Sequence, residues 1–254
     1  MDARVSRRLF LTGAGAVVAL AGCSQTVRRS ASPTTTRPSP TQPGPSTTAP
    51  VGGPATYVAN GSRGGTGVAL TFHGSGDVGL TDQLLTTAKR LGAPVTIFAV
   101  GNWLAANPSI GQRILADGNE LANHTYTHPD LGSLGAEAVT SEITRCADVL
   151  KQAEGNNGRW FRPSGLDKPT PLILQQAGLA GYAVSVGYDV DPLDYEDPGA
   201  SKVISRIEAG VQPGSIVSLH TGHAGTVQAF EPVVAAIRAR GLRPMTVSQL
   251  LGPT

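Results

Sequence analysis

The chain has 254 residues, of which 40% are hydrophobic and 15% are charged, and its formal net charge is +2. This length suits one sizeable domain with extra segments, because domains commonly run to about 100–200 residues. The scattered basic residues exclude a protein that binds polyanions through a dense basic face, so we expect no nucleic-acid partner. The two cysteines, Cys23 and Cys146, indicate no disulfide framework, and we expect Cys146 to be buried in a helix.

The N-terminus is typical of a signal peptide. Arg7 and Arg8 lie within a stretch, residues 6–11, that matches the twin-arginine export signal. The apolar run from Leu9 to about Ala21 is shorter than the roughly 20 residues that span a membrane. We therefore predict that residues 1–22 form a twin-arginine signal peptide that is removed after export.

The apolar run ends in Leu20-Ala21-Gly22-Cys23, which resembles the cleavage box of bacterial lipoproteins. This predicts cleavage before Cys23 and lipidation of its thiol. The domain would then be anchored to the outer face of the cytoplasmic membrane, facing the cell wall. The alternative is an ordinary secretory signal with an incidental cysteine.

Residues 23–55 are rich in serine, threonine and proline and poor in large apolar side chains. Such a segment buries too little surface to offset the entropy of ordering, and its prolines keep it extended. We predict that residues 23–55 are a tether and that residues 56–254 form the functional domain.

Short apolar strands alternate with amphipathic helices along this domain. We predict strands at Val68–Phe72, Val95–Val100, Glu120–Ala122, Trp160–Arg162, Gly181–Val186, Ser215–Leu219 and Leu242–Met245. Helices are predicted at Thr81–Leu91, Pro108–Asp117, Ala136–Ala153, Pro171–Ala177, Ala200–Gly210 and Thr226–Arg240. This alternation favours an α/β domain whose parallel strands close into a barrel, with chemistry at their C-terminal ends.

Polar residues follow these strands where such a site is expected. They are His73, Asn123–His124, Pro163–Ser164, Tyr188–Asp189 with Asp191 and Asp194, and His220. Because this placement adds little to the stability of a barrel, it indicates a polar site.

His124 and His128 are four residues apart, a spacing that puts two imidazoles on one face of a helical turn, where both reach one metal ion. Taken alone, the pair is more compatible with two surface or capping histidines than with a metal site. Its position after a strand, inside Asn123-His-Thr-Tyr-Thr-His-Pro-Asp-Leu131, favours a metal site.

Several motifs, in order, resemble those of the NodB-type polysaccharide deacetylases, carbohydrate esterase family 4. They are residues 119–131, the strand 95–101, Phe161-Arg162-Pro163, the stretch from Asp189 to Tyr195, and 214–220 ending in His220. The resemblance spans about Val68 to Leu251. It implies a NodB-like distorted (β/α) barrel of about seven parallel strands.

The resemblance also implies a mechanism and a cofactor. A divalent ion, with zinc expected and cobalt, nickel or manganese as alternatives, would be held by His124 and His128. His220 would protonate the leaving group. Either Asp191 or Asp194 would orient it, and the sequence does not choose between them.

The third motif implies one more site residue. Arg162 would hold the region of the base electrostatically, or form a structural salt bridge. The family's tyrosine after this motif is replaced here by Ser164-Gly165, and Tyr195 stands where the family usually has tryptophan.

The first motif departs from the family, which reads Thr-Phe-Asp-Asp-Gly with a base and a metal ligand. Here the chain reads Thr71-Phe72-His73-Gly74-Ser75-Gly76-Asp77. In one reading, His73 is the base and a deformable loop brings Asp77 to the metal. In a second, His73 completes a three-histidine zinc site and Asp77 is the base. In a third, the site is degenerate and the domain binds glycan without cleaving it.

These features together predict a metal-dependent hydrolase that removes N-acetyl or O-acetyl groups from a cell-envelope polysaccharide such as peptidoglycan. We expect a monomer. The alternatives are a surface lipoprotein that binds glycan without catalysis and one that presents a metal ion to a partner.

Overall fold

The computed structural model describes residues 52–252. The predicted signal peptide, the predicted lipidation site Cys23 and most of the predicted tether lie outside these residues. Within the described part of the chain, no helix combines the length and apolar character needed to cross a membrane.

The described chain alternates strands and helices. Seven strands are formed within residues 52–252: β1 Thr56–Val58, β2 Gly67–Gly74, β3 Thr96–Ala99, β4 Glu120–Asn123, β5 Val184–Val186, β6 Ile216–His220 and β7 Arg243–Met245. The helices are α1 Val78–Leu91, α2 Gly101–Ala106, α3 Pro108–Ala116, α4 Ala136–Glu154, α5 Pro171–Leu179, α6 Ala200–Gly210, α7 Ala224–Ala239 and α8 Val247–Leu251. Two short 3-10 turns, Leu131–Ser133 and Asp194–Glu196, lie in the loops after β4 and β5.

The strands are parallel and wrap into a distorted barrel. The main sheet has the order β4-β3-β2-β6, β7 pairs with the first residues of β2, and β1 pairs with β5. Single-residue bridges connect these sheets around the barrel. Phe161 pairs with both Asn123 and Ser185, and Val190 pairs with Val217. The predicted α/β barrel of parallel strands is confirmed.

Two strands differ from the prediction. The predicted strand at Trp160–Arg162 is only a pair of bridges at Phe161, since Pro163 breaks the backbone ladder directly after it. The strand β1, which was not predicted, lies before the first apolar run. It is short and partly exposed, so its sequence carries only a weak hydrophobic signal.

Ala55, directly before the predicted boundary at Thr56, packs against the barrel. Ala55 is buried, and its backbone N–H donates to the carbonyl oxygen of Leu174 in α5 at 2.8 Å. Residues assigned to the end of the tether therefore pack against the barrel.

Alternation along β2 explains how the barrel places its polar site. Val68, Leu70 and Phe72 are fully buried against the surrounding helices. Ala69 lies in a separate buried cluster inside the barrel. Because side chains alternate across a strand, His73 faces the same interior side as Ala69, at the C-terminal end of β2.

Candidate functional site

Three strands of the main sheet deliver histidines to the interior of the barrel at its C-terminal end. His73 is the penultimate residue of β2 and is in register with His220 of β6. His124 follows β4, whose backbone is paired with β3. The prediction that polar groups after separate strands meet at one place is therefore matched by the structure.

All five histidines of the chain form one row. The ring centroids are 4.8 Å apart for His128 and His124, 4.3 Å for His124 and His73, and 4.4 Å for His73 and His220. His223 continues the row, 5.8 Å from His220.

Three of these histidines have the geometry of a metal site. One ligand atom each from His73, His124 and His128 lies within 4.8 Å of the others. Burial, and secondarily the neighbouring imidazoles, lower the pKa of both His73 and His124 well below the usual value. Both rings are therefore neutral at neutral pH, which is the form that binds a metal.

The tautomer of His124 fits this role. Its Nδ1–H donates to the carbonyl oxygen of Arg162 at 3.0 Å, which leaves Nε2 as the free lone pair. Nε2 is buried and has no hydrogen-bond partner within residues 52–252. An orphaned buried acceptor is costly, and a metal ion would satisfy it.

Asp77 does not join this group. Its Oδ1 accepts the backbone N–H of Leu80 at 2.8 Å and so caps the N-terminus of α1. Among the described residues, the single group with metal-ligand geometry contains three imidazoles and no carboxylate. This geometry fits His73 as the third ligand, as in the second reading of the first motif, but Asp77 caps α1 and stands outside the group in which that reading made it the base.

The glycines of this loop allow close packing. A Cβ at Gly74 would lie 2.7 Å from Cγ2 of Ile97, so the aspartate that the family has here does not fit without rearrangement. Gly76 has a φ of 79°, and a Cβ there would lie 3.0 Å from Cα of Gly222. The indole N–H of Trp103 also donates to the carbonyl oxygen of Gly76 at 2.9 Å. The loop is packed in place.

The segment from His124 to His128 is not the predicted helical turn. Thr125 and His128 have φ values of 66° and 61°, in the left-handed region. This backbone is unfavourable for residues with a side chain and persists only where surrounding contacts hold it. The prediction of a helical spacing was therefore wrong, although both imidazoles reach the same point.

The contacts that hold this segment come from α4 and from the third motif. Glu142 accepts the backbone N–H groups of Tyr126 and Thr127 at 2.9 and 2.7 Å, and the hydroxyl of Thr127 at 2.8 Å. Ser164 accepts the hydroxyl of Thr125 at 3.0 Å and donates to the carbonyl oxygen of Pro129. Sequence reasoning missed Glu142, although it lies on the buried face of α4 with Val139 and Cys146.

Replacing Glu142 with alanine is expected to loosen the metal site. The change leaves two amides without an acceptor, so we expect the free energy of unfolding to fall by about 2–4 kcal/mol. Zinc affinity should fall about 10- to 100-fold, as for other outer-shell partners. Chemical denaturation and zinc titration measure the two effects.

The matched control is Glu137→Ala, which removes an exposed carboxylate in the first turn of the same helix. It should cost less than about 1 kcal/mol and leave zinc binding unchanged. Unchanged stability and zinc affinity in Glu142→Ala would contradict the anchoring role.

The structure distinguishes the two candidate aspartates. Asp194 is fully buried, and its Oδ1 accepts Nδ1–H of His220 at 2.8 Å. Its Oδ2 accepts the backbone N–H of His220 at 2.8 Å and the hydroxyl of Thr226 at 2.5 Å. Asp191 instead accepts the backbone N–H of Leu193 at 2.8 Å, and burial raises its pKa. Asp194 therefore orients His220.

Arg162 is buried, and within residues 52–252 it forms no salt bridge, which was one of the two roles predicted for it. Its Nε and Nη2 donate to the carbonyl oxygens of Val186 and Gly187, each at 3.0 Å. Its guanidinium carbon lies 4.0 Å from the centroid of the Phe98 ring. Burial lowers the pKa of Arg162 to about 9. The side chain thus fastens the end of β5, while the Arg162 carbonyl orients His124.

Gly165 stands where the family commonly has tyrosine. Its φ is 72°, and a Cβ there would lie 2.7 Å from Cα of Asp130. This close approach requires glycine, and it holds the third motif against the loop that follows His128.

The chain is similar in sequence to known proteins. The sequence model of the family named Polysaccharide deacetylase matches residues 60–185. The chain is 30% identical over 199 residues to a chitooligosaccharide deacetylase of Bradyrhizobium sp., covering 72% of this chain and 90% of that protein. It is 26% identical over 191 residues to a peptidoglycan-N-acetylglucosamine deacetylase of Bacillus cereus, covering 72% of this chain and 67% of that protein.

The fold also matches a solved structure. The crystal structure of a BA3943 mutant, described as a pseudoenzyme of carbohydrate esterase family 4 with restored enzymatic activity, superimposes with a TM-score of 0.73 at 21% identity. The match covers 77% of this chain and 71% of that one, and it supports the barrel fold alone. The family is shown by sequence, because the relative from Bradyrhizobium sp. is 30% identical over 90% of its length: the chain belongs to the polysaccharide deacetylase family.

Proposed function

We propose that this domain is a metal-dependent deacetylase of an acetylated cell-envelope polysaccharide such as peptidoglycan. The observation that carries the proposal is the group formed by His73, His124 and His128, with ligand atoms within 4.8 Å of one another. The names of the two sequence relatives describe deacetylases of chitooligosaccharide and of peptidoglycan. N-acetyl groups are the expected target, with O-acetyl esters as a second class.

The three neutral imidazoles suit a divalent ion with an open coordination position, and zinc is the expected ion, with cobalt, nickel or manganese as alternatives. When bound, the ion supplies a Lewis acid that polarises the acetyl carbonyl and makes water more acidic. His124 presents Nε2 to it, because Nδ1 is held by the Arg162 carbonyl.

His220 is the group that moves protons. Because its Nδ1–H is donated to Asp194, Nε2 is free to accept a proton from the attacking water. The buried carboxylate of Asp194 then stabilises the imidazolium, as in other carboxylate–histidine pairs. Nε2 returns the proton to the leaving nitrogen when the amide C–N bond breaks, so the proton count balances. The proposal gives His220 the base role, because His73 belongs to the group of metal ligands and the carboxylate of Asp77 caps α1.

We further propose that the protein is exported through the twin-arginine route and anchored by lipid at Cys23. The support is the sequence of residues 1–23. The tether would hold the domain near the wall as a monomer.

Acetate release tests the proposed function. The full chain, loaded with zinc, is incubated with N-acetylated chitooligosaccharide and with peptidoglycan. We expect release of free acetate from at least one substrate, loss of release after chelation, and recovery when zinc is added back. No release by the zinc-loaded protein from either substrate would contradict the proposal.

The alternative is a domain that binds glycan without cleaving it. It is favoured by one observation, that His73 and Gly74 stand where the family has its two aspartates. This alternative predicts saccharide binding that persists after chelation and after the change His220→Ala, with no acetate released.

A further inference from the structure

A second histidine–aspartate pair lies beside His220 and Asp194. Nδ1 of His223 is 2.8 Å from Oδ1 of Asp197, the same separation that joins His220 to Asp194. His220 ends β6, and His223 follows three residues later, directly before α7. The two aspartates are likewise three residues apart, at the turn after β5. One turn therefore orients two imidazoles side by side.

The turn that supplies these carboxylates has unfavourable backbone at both ends. Leu193 and Asp197 have φ values of 53° and 51°, and they flank the 3-10 turn Asp194–Glu196. At the Leu193 end, the turn leads directly into Asp194, which is buried and bonded to His220, so that contact accounts for the strained backbone. At the other end Asp197 is exposed, with a side chain 70% accessible to solvent, and an exposed ion pair adds little stability. Stability alone therefore does not explain the second pair.

His223 has the features of a ligand-binding side chain. It precedes α7 but makes no side-chain capping bond, so the helix does not use it. Because Asp197 holds Nδ1, the ring is oriented and Nε2 faces away from the carboxylate. The side chain is 27% accessible to solvent, and its ring lies 5.8 Å from that of His220.

We propose that His223, positioned by Asp197, binds a hydroxyl group of the saccharide on the His220 side of the site. An oriented imidazole nitrogen that is partly open to solvent is suited to a sugar hydroxyl, which both donates and accepts hydrogen bonds. The inference rests on the proposed function and names a binding subsite for it. His223 binds the saccharide and takes no part in proton transfer, and Asp197 is the residue that positions it.

Saccharide binding measured without turnover tests this subsite. The full chain is treated with chelator, and calorimetry measures its affinity for a fully N-acetylated chitopentaose. We expect His223→Ala and Asp197→Asn each to raise the Kd about 10-fold, the cost of one hydrogen bond to an oriented polar group. The matched control, Glu196→Gln, removes the exposed carboxylate next to Asp197 and should leave the Kd unchanged.

Kinetics with the zinc-loaded chain give a second readout. Loss of a positioning contact should raise KM with less than about a threefold change in kcat, because the contact is equal in ground and transition states. An unchanged Kd in His223→Ala would overturn the subsite while leaving acetate release intact. If His223→Ala raised the Kd and Asp197→Asn left it unchanged, the role of Asp197 would be overturned. No binding by the unaltered chain would overturn the saccharide assignment itself.

Discussion

Replacing Asp194 with asparagine is expected to lower the rate of acetate release by about 10²- to 10⁴-fold, the range for losing a positioned acid–base group. An asparagine amide can donate to Nδ1 of His220, which would fix the opposite tautomer and block Nε2 from accepting a proton. Zinc content should be unchanged, because Asp194 contacts none of the three metal-site histidines in the described structure. Steady-state kinetics and metal analysis of the purified variant measure both quantities.

The control for this prediction is Asp191→Asn. Asp191 lies in the same loop, but its carboxylate bonds to the backbone N–H of Leu193 and not to His220. We expect a rate change of less than about 10-fold, since no proton-transfer group loses its partner. Equal loss of activity in the two variants would show that Asp194 has no special role in orienting His220.

Replacing His73 with alanine is expected to lower zinc affinity by at least about 100-fold, the upper end of what loss of an outer-shell partner costs. The change removes one of three ligands and leaves His124 and His128 as a pair. Competition with a chromogenic chelator at neutral pH measures the affinity. The result separates the readings of the first motif. If His73 acted only as a base, the His73→Ala variant would lose activity but still bind zinc.

Asp77→Ala is the matched control. It removes the cap of α1, which should cost about 0.5–2 kcal/mol of stability. Zinc affinity should not change, since the carboxylate of Asp77 lies outside the metal group. A loss of zinc in Asp77→Ala with none in His73→Ala would reverse the assignment of the third ligand.

Strand periodicity made the position of the site predictable. Alternation of side chains and the common direction of parallel strands place His73, His124 and His220 at one end of the barrel without knowledge of the loops. Burial of Cys146 was likewise predictable, because it lies on the apolar face of a long amphipathic helix.

The local conformation of the metal loop was not predictable in the same way. His124 and His128 have a helical spacing, but Thr125 and His128 adopt left-handed backbone. That backbone is held by Glu142, which lies 15 and 16 residues away from the amides it accepts. A pattern confined to five residues carries no information about such a contact.

The choice between Asp191 and Asp194 also depended on tertiary structure. Both lie within one short polar segment, and both resemble the family's motif. The left-handed backbone of Leu193 starts the turn that carries Asp194 inward, where the hydroxyl of Thr226 from another helix completes its bonding. Neither the backbone conformation of Leu193 nor the hydrogen bond from Thr226 can be predicted from the sequence around the aspartates.

The most direct test of the three-histidine centre is a crystal structure of the zinc-loaded chain with anomalous scattering measured at the zinc edge. We predict one zinc ion with nitrogen ligands from His73, His124 and His128 at about 2.0–2.1 Å and an open fourth position. A zinc ion bound through the carboxylate of Asp77, with His73 outside bonding distance, would contradict this account.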